Sequence, residues 1–65
     1  MIFVNGQEEK IPADLSVYAY LKEKQYRTDR IAVELNGSIL PKTAYENTLL
    51  QEGDHLEIVS FVGGG

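Results

Sequence analysis

The chain has 65 residues, no cysteine and one histidine. This length predicts one small domain, and the absence of cysteine excludes a disulfide framework and argues against a structural zinc site. The 43% hydrophobic content must therefore serve a single core, which leaves no room for a deep substrate pocket.

Ten acidic and six basic residues give a net charge of −4 and a pI near 4.7. Without a basic stripe the chain is not expected to bind nucleic acid, whereas partners with basic docking surfaces would suit it. No apolar run exceeds five residues, so we expect no membrane span. No basic segment followed by a hydrophobic stretch opens the sequence, and this favours a cytoplasmic location.

The first elements are predicted by a turn signal and an apolar period. Asn5-Gly6 follows the apolar residues 2–4 and predicts a type I′ hairpin, with residues 7–11 as an edge strand that Pro12 ends. Ser16 is a suitable N-cap for a helix over residues 17–25, whose buried face would hold Val17, Tyr20, Leu21 and the stem of Lys24.

The second half of the chain predicts further strands. Residues 31–35 alternate as a half-buried strand does, and Asn36-Gly37 predicts a hairpin with the short strand 38–40. Residues 43–51 lack a clean period and are predicted to be a crossover with one short helical turn. A turn at residues 52–54 then leads into a last strand over residues 55–62, with Leu56 and Ile58 buried.

Hairpin, helix and further strands in this order predict an α+β β-grasp (ubiquitin-like) fold. We expect a mixed four- to five-stranded sheet with one main helix packed on one face. Residues 1–62 would form the single domain and residues 63–65 a flexible glycine tail.

The triglycine end, Gly63, Gly64 and Gly65, calls for a functional explanation. At about 7% usage, three adjacent glycines occur at a given position about three times in ten thousand. A frayed terminus is the alternative reading. However, a tail without Cβ atoms is thin and lets the walls of another protein approach closely, so it would suit delivery of a terminal carboxylate into a narrow active site.

Side chains with catalytic potential give weaker signals. His55 is predicted to be a solvent-facing strand residue rather than a catalytic base, and no serine lies in a nucleophile-elbow context. Acidic residues near the turns lack the spacing of a calcium loop, so we predict no metal site and no cofactor bound by the chain itself.

The strand alternation predicts an exposed apolar patch. If Leu56 and Ile58 face the core, Val59 and Phe61 face the other side of the sheet, where Phe3 also points. With Val62 beside them, these residues are candidates for partner binding, unless the crossover covers them.

Four features in order carry a resemblance to a known family: the two Asn-Gly turns, the Glu52-Gly53-Asp54 turn and the Gly64-Gly65 end. With their order and spacing, they resemble the sulfur carrier proteins of thiamine biosynthesis over the whole chain. The resemblance implies that an adenylating (E1-like) enzyme, using ATP and magnesium, converts the Gly65 carboxylate to an acyl-adenylate. Sulfur from a cysteine desulfurase would then give a Gly65 thiocarboxylate, which thiazole synthase consumes. The carrier itself would not be an enzyme.

Three alternatives remain open at this point. A carrier of the molybdopterin type shares the fold and the diglycine end, and a ubiquitin-like modifier would instead join its terminal glycine to a lysine. A plain interaction module that happens to end in glycine belongs to a different class.

Overall fold

The computed structural model describes residues 1–61. Within them the chain forms strands β1 (Ile2–Val4) and β2 (Gln7–Glu9), helix α1 (Val17–Glu23), and strands β3 (Ile31–Leu35), β4 (Ser38–Leu40) and β5 (His55–Ser60). Single 3-10 turns lie at Thr28–Arg30 and Lys42–Ala44. In the described part of the chain no helix is long and apolar enough to cross a membrane.

The five strands form one mixed sheet in the order β2-β1-β5-β3-β4. β1 and β5 run parallel, and the other neighbours run antiparallel. The last strand of the chain therefore lies at the centre of the sheet, between the two hairpins. The predicted mixed sheet with one main helix is confirmed, with five strands.

Both predicted hairpin turns form because their central residues adopt positive φ. Asn5 and Gly6 have φ of 51° and 84°, and Asn36 and Gly37 have φ of 52° and 85°. A type I′ turn requires this conformation at both positions, and it fixes the register of each two-stranded ribbon.

Helix α1 begins where the sequence predicts but ends two residues earlier than the predicted residue 25. The Ser16 hydroxyl accepts a hydrogen bond from the Ala19 amide at 3.0 Å and caps the first turn. Gln25 has φ of 66°, and the Tyr26 amide donates to the Leu21 carbonyl at 2.9 Å. This closing motif usually has glycine at its left-handed position, so the glutamine gave no stop signal.

The core lies between α1 and one face of the sheet. Its apolar residues come from the helix, from alternate positions of β1, β3 and β5, and from the crossover: Ile2, Val4, Val17, Tyr20, Leu21, Ile31, Val33, Tyr45, Leu50, Leu56 and Ile58. Lys24 is a correction, because it is exposed and forms an ion pair rather than covering the core with its stem. The predicted edge strand is also shorter than residues 7–11, since β2 ends at Glu9.

Candidate functional site

One face of the sheet has no helix on it, and alternation along β5 decides which residues it carries. Leu56 and Ile58 are buried against α1, so the residues between them face the opposite way. The crossover does not cover this opposite face, because Tyr45 and Leu50 join the same core cluster as the helix. Within residues 1–61 we call this uncovered surface the open face; by strand register it comprises Phe3, Glu8, Ala32, Glu34, Ile39, His55, Glu57, Val59 and Phe61.

An apolar corner of the open face lies where the chain leaves the sheet. The side chains of Val59 and Phe61 are 57% and 56% exposed, and Ala32 lies opposite Val59 on β3. The Phe61 amide donates to the Arg30 carbonyl at 2.8 Å, so strand pairing continues to this residue. The fourth predicted member of the patch, Val62, lies outside the described residues.

Phe3 does not join this corner, contrary to the single patch that the sequence suggests. It is half-buried and its ring stacks on the imidazole of His55, with centroids 4.6 Å apart and planes at 16°. Phe61 directly follows β5 and lies six residues after His55, a separation of about 20 Å along an extended strand. The register places Phe3 and Phe61 at opposite ends of the same face, because β1 pairs with the start of β5.

Five open-face residues were not singled out in the sequence, among them Ile39, Glu34 and Glu57. Ile39 is 76% exposed, and Glu34 pairs with it across the β3–β4 hairpin and with Glu57 across the β3–β5 pair. The two-residue Asn-Gly loop could have predicted the Glu34–Ile39 pairing. The Glu34–Glu57 pairing has no local signal, since it joins strands that are distant in sequence.

The remaining catalytic candidates do not assemble into a reaction centre in the described structure. His55 is exposed on a strand, as predicted. In residues 1–61 no three His, Cys, Asp or Glu side chains come together as a metal site.

A polar cluster joins the helix to the edge of the sheet. The Glu9 carboxylate accepts a hydrogen bond from the Tyr20 hydroxyl at 2.7 Å and pairs with the Lys24 ammonium at 2.6 Å. These two contacts, with that of Lys24 the larger, lower the pKa of Glu9. Burial, followed by the hydrogen bond to Glu9, raises the pKa of Tyr20, and Glu9 also raises the pKa of Lys24. The cluster fixes β2 against α1 on the helix side of the sheet, away from the open face.

The four residues after Phe61 contain the glycine tail. Gly63, Gly64 and Gly65 lie outside the described residues, so their predicted role stays a prediction, as does the boundary after residue 62.

Comparison with known proteins identifies several relatives of this chain. The sequence model of the ThiS family matches residues 2–65. The chain is 35% identical to the sulfur carrier protein ThiS of Bacillus subtilis over 66 aligned positions that cover 100% of both chains. The crystal structure of the thiamine biosynthesis protein ThiS from Geobacter metallireducens superposes with a TM-score of 0.84 at 33% identity, covering 98% of this chain and 97% of the other.

Longer proteins also contain a similar segment. The chain is 41% identical over 64 residues to a thiazole synthase of Paramagnetospirillum magneticum, and it spans 20% of that protein's length. With the family model and the carrier of B. subtilis aligned along nearly all of its residues, the chain belongs to the ThiS family, the sulfur carrier proteins of thiamine biosynthesis.

Proposed function

We propose that the chain carries sulfur as a thiocarboxylate on Gly65 and donates it to thiazole synthase. The first step is activation, in which a carboxylate oxygen of Gly65 attacks the α-phosphate of ATP in the active site of an adenylating enzyme. Pyrophosphate leaves and an acyl-adenylate remains. ATP and magnesium belong to that enzyme, and the carrier contributes an unhindered acyl carbon on a narrow tail.

The second step loads the sulfur. The terminal sulfur of a persulfide, supplied through a cysteine desulfurase, attacks the acyl carbon and expels AMP. A thiol then reduces the resulting S–S bond, which leaves the thiocarboxylate on Gly65 and a disulfide on the sulfur donor. Thiazole synthase takes this sulfur into the thiazole ring.

The observation that carries the proposal is that the ThiS family match continues to Gly65. The similarity to a segment of proteins named thiazole synthase supports that enzyme as the acceptor, because a segment similar to this chain then shares one polypeptide with a protein of that name. The central strand β5 adds support, because the glycines follow it in the sequence and the exposed side chains of Val59 and Phe61 lie at its end.

Two tail variants test the proposal: deletion of Gly65 and addition of one alanine after it. Deletion shortens the reach by up to ~3.6 Å, about the distance at which reacting atoms meet, and the added alanine brings a Cβ into a space shaped for hydrogen. Both variants should unfold at the wild-type urea concentration and bind the adenylating enzyme normally. We expect both to lose ATP–pyrophosphate exchange.

Wild-type protein purified from cells provides the second readout. Its intact mass should include a species heavier by one oxygen-to-sulfur exchange, which the tail variants lack. Normal pyrophosphate exchange by the alanine-extended chain would refute the carrier proposal. A ladder of heavier protein conjugates would support the modifier alternative instead.

A further inference from the structure

Both hairpin turns contain the sequence in which an asparagine side chain can react with its own backbone. Glycine follows Asn5 and Asn36, and because it has no Cβ its amide nitrogen is unhindered. Within residues 1–61 neither the Gly6 amide nor the Gly37 amide donates a hydrogen bond. Both asparagines are exposed, so water reaches them. Each turn therefore holds an available backbone nitrogen next to a side-chain amide.

The reaction open to such a pair is deamidation through a succinimide. The glycine amide nitrogen loses its proton and attacks Cγ of the asparagine side chain, and the side-chain nitrogen leaves as ammonia. Water then opens the ring at one of its two carbonyl carbons, which gives either aspartate or isoaspartate. The sum is asparagine plus water to a carboxylic acid plus ammonia, so no oxidant or reductant takes part.

The carbonyl oxygen of the side chain has the same kind of partner in both turns. Oδ1 of Asn5 accepts a hydrogen bond from the Ile58 amide at 2.9 Å, and Oδ1 of Asn36 accepts one from the His55 amide at 2.9 Å. Such a donor polarises the carbonyl that is attacked and also holds the side chain in place. Because the contact has the same length in both turns, it does not distinguish them.

The side-chain nitrogen is where the two turns differ. Asn36 donates from Nδ2 to Oδ1 of Asp54 at 3.0 Å, and the other oxygen of Asp54 accepts from the Gln51 amide at 2.8 Å. Within residues 1–61 no carboxylate holds the Asn5 nitrogen in this way. Attack at Asn36 breaks a hydrogen bond to a charged group and develops negative charge beside a carboxylate, so it is slower.

We propose that the Asn5-Gly6 turn is a site of spontaneous deamidation in the folded protein and that Asp54 protects the Asn36-Gly37 turn from the same reaction. Aspartate formed at residue 5 keeps an acceptor oxygen for the Ile58 amide. Isoaspartate instead adds a backbone carbon to a two-residue loop whose length sets the strand register, and it loosens the first hairpin from β5. The inference does not depend on the proposed sulfur transfer.

The test follows both turns in one sample of the full chain. The protein is incubated in mildly alkaline buffer, either folded or in denaturing urea, and then digested. Peptide mass spectrometry measures the exchange of amide for acid at each asparagine, and labelling by isoaspartyl methyltransferase identifies isoaspartate. Separation of the intact, aged protein before urea unfolding compares the stability of the isoaspartate form with that of the unmodified chain.

Asp54→Asn removes the protecting charge and retains an acceptor oxygen. Glu52→Gln is the matched control, because it removes a carboxylate of the same turn that contacts the Met1 amino group instead of Asn36. Urea unfolding shows that each variant is folded.

In the folded wild type we expect residue 5 to convert about tenfold faster than residue 36 or more, the factor that a hydrogen bond to a charged group contributes to a rate. In urea the two rates should become similar, since both asparagines then follow a bulky apolar residue, Val4 or Leu35, with no fixed contacts. Asp54→Asn should bring the rate at residue 36 close to that at residue 5, and Glu52→Gln should leave it unchanged. The isoaspartate form should unfold at a lower urea concentration.

Three results would overturn the inference. The first is equal or faster conversion at residue 36 in the folded wild type. The second is no conversion at residue 5 of the folded chain when the chain in urea reacts. The third is the same rate at residue 36 in Asp54→Asn and Glu52→Gln. If Asp54→Asn did not fold, the comparison of folded and unfolded wild type would still decide.

Discussion

Two asparagines stabilise the central strand in addition to forming their turns. The Asn5 side-chain oxygen accepts a hydrogen bond from the Ile58 amide at 2.9 Å, and that of Asn36 accepts from the His55 amide at 2.9 Å. Each side chain therefore satisfies a backbone donor of β5 from an adjacent hairpin. Glycine could replace asparagine in the turn geometry, but it could not provide this acceptor.

Substitution of Asn5 separates these two roles. Asn5→Gly keeps the positive φ but leaves the partly buried Ile58 amide without its partner, which should lower the free energy of unfolding by about 1–3 kcal/mol. Asn5→Asp retains an acceptor oxygen at the same position and should remain closer to wild type. Urea denaturation measures both, and equal stability of Asn5→Gly and wild type would show that only the turn conformation matters.

The Glu9 cluster predicts a pH dependence of stability. The Lys24 ammonium and then the Tyr20 hydroxyl hold the pKa of Glu9 below its ordinary value of 4.5. Because the pKa is lower in the folded protein, this contribution is present above the unfolded pKa and is lost as the pH falls through the folded pKa.

Urea unfolding midpoints between about pH 5 and pH 3 test this dependence. The wild-type midpoint should fall more steeply than that of Glu9→Gln, which cannot titrate at this position. Glu8→Gln is the control, since the neighbouring Glu8 lies on the open face, and its decline should follow that of wild type. Parallel curves for Glu9→Gln and wild type would contradict the prediction.

At the scale of elements, β5 joins the two halves of the fold. It pairs with β1 on one side and with β3 on the other, so neither hairpin would belong to a common sheet without it. Its alternate residues divide sharply, since Leu56 is fully buried and Ile58 is 7% exposed, whereas Val59 is 57% exposed. One strand thus supplies both the core and the open face.

Truncation of adjacent residues on β5 should show this division. Ile58→Ala should lower the free energy of unfolding by about 2–5 kcal/mol, the usual loss for a large side chain removed from a core. Val59→Ala removes a smaller, exposed side chain and should change it by about 0.5 kcal/mol or less. Similar losses for the two variants in urea denaturation would be incompatible with the register of the last strand.

At the scale of the whole molecule, the two faces of the sheet differ in what they contribute. The helix side contains the core and the Glu9 cluster, and it stabilises the fold. The open face contains exposed apolar and acidic residues next to the tail, and nothing in residues 1–61 covers it. Its exposed residues, such as Val59 and Phe61, can therefore change with little effect on folding, which makes recognition separable from stability.

This separation predicts the effect of removing the Phe61 ring. Phe61→Ala should unfold near the wild-type urea concentration, because the side chain is exposed, but it should weaken binding to the adenylating enzyme by about 2 kcal/mol or more, as the loss of an aromatic anchor does. Leu49→Ala is the control, since Leu49 is 46% exposed but belongs to the crossover. Calorimetry that gave the same affinity for Phe61→Ala and wild type would remove Phe61 from the docking surface.

The sequence by itself determined the features that depend on neighbouring residues. The Asn-Gly pairs predicted both hairpins because only a few residue types adopt positive φ, and alternation predicted the burial of Leu56 and Ile58. The order of these elements, with the glycine end, was enough to indicate the β-grasp fold and the family. The site assignments of Phe3, Val59, Phe61 and Val62 as a docking surface remain predictions.

Only the tertiary structure decided the features that depend on pairing between distant strands. Placing β5 between β1 and β3 separated Phe3 from Phe61 and brought Glu34 opposite Glu57. It also placed the crossover on the helix side, which left the open face uncovered within residues 1–61. No local pattern encodes these outcomes, because the register of a long-range strand pair is set by which faces are buried together in the folded protein.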